Sequence, residues 1–341
     1  MRISLRWALA MLVPTIVLTS ARVWAENYYS NSDTENFLTA ADDKAAALPG
    51  TQSMGTCNCA PACCDCIGNW RDNTVVWLGG DAYKSIGDSV QPPGPGAGFM
   101  NSAGVVGGFN TGFGLGDSNI RGQIGASYGI YDLKGRDTVS PSSSEQQTFV
   151  TAGFYKRSDV CCGDRISWGL VYDQFFAHQW GLRAGEVYLS QVRGIIGYAL
   201  SESNEVGVWA TWHTNTDASV TGFATPIRAM NQANLYWRHN YQFGASTMAY
   251  IGGVDPADLG SWQVGVLGQA PMSDTLSLYS NVTFAFPGSS TGAVGSNELE
   301  WNVGAGLAYS FGGKSVSPTV SGWKGLPLLP VANNGSLLIT N

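Results

Sequence analysis

Glu300-Trp301-Asn302-Val303-Gly304-Ala305-Gly306-Leu307-Ala308-Tyr309-Ser310-Phe311 alternates without a slip. Trp301, Val303, Ala305, Leu307, Tyr309 and Phe311 fall on one side; Glu300, Asn302, Gly304, Gly306, Ala308 and Ser310 fall on the other. A period of two over this length is a strand with one apolar and one polar face. The same reading applies upstream to spans near 74–83, 104–115, 120–132, 147–156, 165–176, 187–200, 205–214, 227–238, 244–252, 261–269 and 276–286. With 299–311, this predicts twelve strands in one all-β chain. Such a set reads as an antiparallel up-and-down sheet closed on itself, with lipid outside and water inside. Closure pairs every backbone group that a bilayer could not hydrate.

The other strands support the two-faced reading. Ile120, Gly122, Ile124, Ala126, Tyr128 and Ile130 oppose Arg121, Gln123, Ser127 and Tyr131. Ile166, Trp168, Leu170 and Tyr172 oppose Arg165, Ser167 and Asp173; Leu276, Leu278, Val282 and Phe284 oppose Ser277, Tyr279, Asn281 and Thr283. From Trp301 to Tyr309 a strand tilted by ~45° rises about 19 Å, enough to bracket an apolar band with an aromatic at each edge. The connections alternate as well. Segments 116–119, 157–164, 201–204, 239–243 and 270–275 are the shorter ones, and 84–103, 133–146, 177–186, 215–226, 253–260 and 287–298 the longer ones. Tight periplasmic turns facing longer external loops produce this sorting, and an even strand count puts both ends of the barrel on the periplasmic side.

The N-terminus has the form of an export signal. Arg2 and Arg6 precede the apolar run Ala8–Leu18, and Val23-Trp24-Ala25 supplies a cleavage site, so residues 1–25 are expected to be a signal peptide. Loss of Arg2, Arg6 and Arg22 makes the formal charge of −7 more acidic by three. No later run of 18 apolar residues predicts a helical span. Charged residues are 13% of the chain, against roughly 25% in soluble domains, and 44 glycines are nearly twice the usual share of about 7%. Low charge with 12 Trp and 14 Tyr suits an exterior that meets lipid. The acidic balance argues against a nucleic-acid partner.

Residues 26–56 set Glu26, Asp33, Glu35, Asp42 and Asp43 against Lys44 alone and read as a solvated linker. With the cysteine-rich run that follows, 26–73 is expected to form a periplasmic arm. Cys57, Cys59, Cys63, Cys64, Cys66, Cys161 and Cys162 are disulfide candidates in an oxidising compartment. Cys161 and Cys162 fall in a predicted periplasmic turn, so a disulfide from the arm to this turn would tether the arm at the inner rim. The spacing C-x-C-x3-C-C-x-C lacks the C-x2-C pairs and nearby histidine of a zinc site, and no metal or cofactor is expected.

The candidate functional residues line the predicted lumen: Arg121, Gln123, Arg165, Asp173, Arg193, Glu205, His213, Arg238, Asn281 and Glu300. Asp173 and Arg193 sit about two residues from register on a predicted hairpin and should pair. Charges of both signs either fill a narrow lumen or form a polar constriction that selects solutes. The three histidines, His178, His213 and His239, have no serine motif beside them, so no catalytic residues are assigned and no enzyme is expected. The run Gly107–Gly116 lacks a Lys-Ser/Thr and a following helix, and its Val105, Phe109, Phe113 and Leu115 mark it as strand rather than nucleotide loop. Inward glycines at 125, 169, 197, 265, 304 and 306 favour open volume, unless large residues opposite fill it.

On these features the chain resembles the Gram-negative-type outer-membrane β-barrel proteins, including uncharacterised families of exported barrels. The resemblance covers 74–311. The ending Gly306-Leu307-Ala308-Tyr309-Ser310-Phe311 is similar to the signal read by the barrel-assembly machinery, although here residues 312–341 follow it. That stretch, with Trp323-Lys324-Gly325-Leu326-Pro327-Leu328-Leu329-Pro330, is expected to be a periplasmic C-terminal extension. The resemblance implies outer-membrane localisation, contact with outer-membrane lipids and with the assembly machinery, and no active-site residues. The expected role is a narrow passive channel for small polar solutes or a structural envelope component. An integral outer-membrane hydrolase and a secreted soluble β-sandwich acting in binding or adhesion are the alternatives.

Overall fold

Leu307, Tyr309 and Phe311 point outward from the sheet, while Asn302, Gly304, Ala308 and Ser310 point into it. In the structure, a computed structural model, residues 70–86, 101–115, 119–133, 144–181, 185–218, 226–255, 261–286, 299–315, 317, 319–320 and 326–340 are described. All lie in one compact unit, Cys59–Asn341. The signal sequence, the acidic stretch and Cys57–Cys66 lie outside the described residues.

Among the described residues fifteen strands run in chain order: β1 (Thr74–Lys84), β2 (Ser102–Gly114), β3 (Arg121–Tyr131), β4 (Glu145–Lys156), β5 (Ile166–Trp180), β6 (Gly185–Ala199), β7 (Asn204–His213), β8 (Thr216–Asp217), β9 (Ile227–Ala229), β10 (Asn231–Asn240), β11 (Ser246–Asp255), β12 (Trp262–Pro271), β13 (Leu276–Phe286), β14 (Glu300–Ser310) and β15 (Ile339–Thr340). Twelve of them, all but β8, β9 and β15, form a closed antiparallel barrel. The seam is β1 against β14, in register from Val75↔Ser310 to Lys84↔Trp301. No edge of this sheet is left to pair with another chain. A β-sandwich, which would bury the Trp301–Phe311 row between two layers, is therefore excluded.

The alternation carries through. Leu78, Ile124, Leu170, Ile196, Val208, Leu235, Ile251 and Leu307 are exposed at mid-strand on the outside. Aromatics flank them: Phe113, Phe154, Tyr198, Trp237 and Tyr309 toward one end, and Tyr128, Phe176, Tyr188, Trp212 and Trp262 toward the other. Outward charges on the barrel strands occur only near strand ends, at Lys84, Lys156, Glu186 and Asp255. An apolar belt between aromatic girdles is the exterior of an outer-membrane-type barrel. No helix among the described residues is long and apolar enough to cross a membrane.

Two predicted elements differ. The span 177–186 is not a long loop, because β5 runs on to Trp180 and β6 begins at Gly185. Inward packing of Ala177, Trp180, Val187 and Leu189 prolongs this hairpin, and its register shifts at a bulge where Gln179 takes φ +57°. The span 227–238 divides into β9 and β10, with the buried Met230 between them, and β10 continues to Asn240. His239 thus lies on a strand rather than in a turn. It faces outward between Trp237 and Tyr241, at 5.6 and 4.6 Å between ring centroids, and its Nδ1 donates to Asn204 Oδ1 at 2.9 Å.

The largest difference concerns the C-terminal extension. The described part of 311–320 runs beneath the short turns: Ser315 N donates to Asp274 O (3.0 Å), Ser317 N to Gly244 O (3.2 Å) and Val320 N to Glu202 O (2.7 Å). Residues 326–340 then lie inside the barrel rather than beyond its short-turn end. They finish at the long-loop end, where β15 pairs with β9 and β9 with β8. The reason is composition: Leu326, Leu328, Leu329, Val331, Leu337, Leu338 and Ile339 are all buried, and outside the barrel they would face water.

Candidate functional site: the filled lumen

At the short-turn mouth Arg157 Nε donates to Leu326 O at 2.8 Å, and its Nη2 donates to Pro327 O. Leu328 and Leu329 sit among Tyr155, Val171, Ile195, Trp209, Tyr236, Met248 and Tyr250. Gln123 binds the Leu329 main chain from both sides, Nε2 donating to its carbonyl at 3.0 Å and Oε1 accepting its N–H at 3.4 Å. Asn110 Nδ2 also donates to that carbonyl, at 2.9 Å. The prolines at 327 and 330 have no N–H to satisfy, which suits a segment with no ladder partner.

At mid-lumen lies the ion pair anticipated from register. Val171 pairs with Arg193 and Asp173 with Gln191 across β5 and β6, which sets the two charges on neighbouring rungs. Arg193 Nε donates to Asp173 Oδ2 at 3.0 Å and Nη2 to Oδ1 at 3.1 Å, with both side chains buried. Thr151 Oγ1 (2.6 Å) and Gln191 Nε2 (3.0 Å) complete the carboxylate shell. Arg193 Nη2 also donates to Pro330 O at 2.7 Å, and Ala332 N donates to Thr151 Oγ1 at 3.0 Å. The wall's charge pair is thus part of the seat for the segment.

Above it, Asn334 Nδ2 donates to Gln147 Oε1 (2.9 Å), Asp81 Oδ2 (3.3 Å) and the Tyr131 hydroxyl (3.3 Å). Asn333 Oδ1 accepts from the N–H groups of Gly335 (3.1 Å) and Ser336 (3.0 Å), closing an Asx turn. Ser336 O accepts from Gln191 and Gln232, each at 3.1 Å. Leu337, Leu338 and Ile339 then pack with Phe149, Phe175, Trp180, Leu189, Ile227 and Met230 under the long-loop end.

The inward glycines are filled positions. A Cβ on Gly125 would lie 2.6 Å from Val331 Cγ2, and one on Gly169 would lie 2.6 Å from Leu329 Cδ1. The ring hydroxyls of Tyr236 and Tyr250 occupy the space at Gly197 and Gly265, and Asn281 Oδ1 the space at Gly304.

Of the residues read as lumen-lining, Arg121, Gln123, Asp173, Arg193, Glu205, Arg238, Asn281 and Glu300 are buried inside the barrel. Arg238 Nη1 donates to Glu205 Oε1 at 2.9 Å, with the Tyr236 hydroxyl (2.7 Å) and Ser167 (2.9 Å) on the same carboxylate. His213 is half-buried at the long-loop mouth, its Nδ1 2.9 Å from Asn231 Oδ1. Arg165 does not line the lumen. β5 starts one residue later, and the exposed guanidinium folds over the rim to donate to Ala199 O (3.2 Å) and Leu200 O (3.1 Å). Cys161 and Cys162 lie on an exposed 3-10 turn at that rim, Val160–Cys162. Sequence reasoning missed Asn110, Thr151, Gln191, Gln232 and Arg157, whose contacts to the segment exist only once it lies against them.

A family model matches residues 73–339, the Family of unknown function (DUF6666). The chain belongs to that family. The matched span takes in every barrel strand and the luminal segment to Ile339, so the DUF6666 unit comprises barrel and filling together. No curated protein matches the chain. Among solved structures, this DUF6666 chain is similar to outer membrane phospholipase A from Escherichia coli (11% identity, 69% of this chain and 95% of that chain, TM-score 0.41). It is also similar to the NanC porin (10% identity, 69% and 98%, TM-score 0.39) and the KdgM porin (8% identity, 70% and 98%, TM-score 0.36).

Proposed function

We propose that this protein is an exported outer-membrane β-barrel that is closed at rest and acts as a structural component of the envelope, with its short turns toward the periplasm. The observation that carries the reading is residues 326–340, which occupy the lumen from the short-turn mouth to the long-loop end. The apolar belt supports contact with outer-membrane lipids, and the strand ending in Tyr309-Ser310-Phe311 supports insertion by the assembly machinery. An enzymatic role is not part of the proposal. Among the described residues none of the three histidines is hydrogen-bonded to a serine, threonine or cysteine; His178 meets Glu186, His213 meets Asn231 and Arg228, and His239 meets Asn204.

Recordings of the intact protein in planar lipid bilayers test the reading. A silent membrane despite verified insertion is the expected result. Conductance steps from the intact chain would replace it with the narrow-channel reading, and recovery without detergent from the soluble fraction would remove the membrane placement.

A further inference from the structure

We propose that residues 326–340 are a stopper that leaves the lumen as one piece, and that the barrel they vacate is a water-filled pore for inorganic ions and small polar solutes. This rests on the closed-lumen reading above and adds an open state to it.

Four observations point to a removable filling rather than a permanent core. First, the wall holds the segment's main chain and Asn334 with polar side chains, where a dry core would use apolar ones throughout. Gln123, Thr151, Gln191 and Gln232 bond to its main chain, and Gln147 and Asp81 to its Asn334. Water can take over each of these bonds.

Second, Asn110 Oδ1, Gln191 Oε1, Asn234 Nδ2 and Gln263 Oε1 are buried in the closed barrel with no protein partner among the described residues. Those atoms are better served by a hydrated lumen than by the packed one.

Third, two charge pairs of the wall are self-contained. The Arg193–Asp173 and Arg238–Glu205 pairs belong entirely to barrel strands, so vacating the lumen orphans neither. Arg193 loses only the Pro330 carbonyl.

Fourth, the segment contributes nothing to the closed sheet. The β1–β14 seam is complete without it, and its own ladder is limited to Ile339↔Ala229 and Thr340↔Arg228. Apolar contacts at Leu328, Leu329 and Leu337–Ile339 hold the stopper in. Those contacts explain the resting closed state and name what must be lost on opening.

The test uses the full chain. A specific protease sequence is inserted within residues 321–325, the protein is folded and reconstituted intact, and a single bilayer is recorded before and after cleavage. Cleavage is expected to turn a silent membrane into one with discrete conductance steps, and a synthetic peptide of residues 326–341 should block them while its scrambled version does not. Gly169→Ile, whose Cβ would meet the Leu329 side chain and no backbone atom, should conduct without protease. Complete cleavage of an inserted barrel that stays silent, or steps indifferent to the native peptide, would overturn the proposal. Conductance from the uncut parent would instead strike at the closed resting state, so the two failures are distinguishable.

Discussion

Arg193 serves two masters, the Asp173 carboxylate on the next strand and the Pro330 carbonyl inside the barrel. Taking an ion pair out of water is costly, and what remains after one partner is removed is a buried, uncompensated charge. Arg193→Met should therefore destabilise the barrel by about 3–5 kcal/mol, measured as a shift in urea unfolding in lipid vesicles. The double change Arg193→Met with Asp173→Leu should recover much of that loss, because no charge is stranded. This pair was legible in the sequence: strand period and hairpin register alone brought positions 173 and 193 within two residues of each other. Arg165 was read by the same rule and misplaced, because period-two parity has meaning only inside a strand and β5 begins at Ile166. A residue one step outside the ladder is free to fold back over the rim.

At the scale of elements, the twelve strands could be read from alternation, but the filling could not. Leu326-Pro327-Leu328-Leu329-Pro330 has no period, and its prolines break both helix and ladder patterns, so local rules assign it no partner. Its partners are the notches at Gly125 and Gly169 and the amide side chains beside them, which come together only when the barrel closes. One signal was available: a stretch this apolar after the last strand has no stable place in water. Leu329→Ala is expected to cost about 2–5 kcal/mol in the same unfolding assay, the range for emptying a packed aliphatic site. At the other end of the segment, the β15–β9–β8 sheet holds Arg228 between Thr216 and Thr340. Ile339→Asp puts a charge into the cluster beneath that sheet and should release it. Trypsin added to intact cells should then cut after Arg228 in the variant but not in the parent, since cleavage at that bond needs the strand to open.

For the whole molecule the decisive question is which solvent the exterior meets, since a closed sheet by itself does not say. Outward Leu235 is 65% exposed on β10, next to inward Asn234 and Tyr236, and lies near the middle of the apolar belt. In water, a leucine this exposed can become arginine with little consequence, within about 0.5 kcal/mol. At the midplane of a bilayer the same change should cost about 2–4 kcal/mol, because the guanidinium must be dehydrated or drawn toward a headgroup. The penalty should shrink to about 0–1 kcal/mol for Trp237→Arg, two residues nearer the short-turn girdle on the same face. Reversible unfolding of both variants in vesicles reads the difference directly. A depth-dependent penalty would establish the lipid-facing exterior independently of any likeness to other barrels, and equal, negligible costs at both positions would return the protein to water.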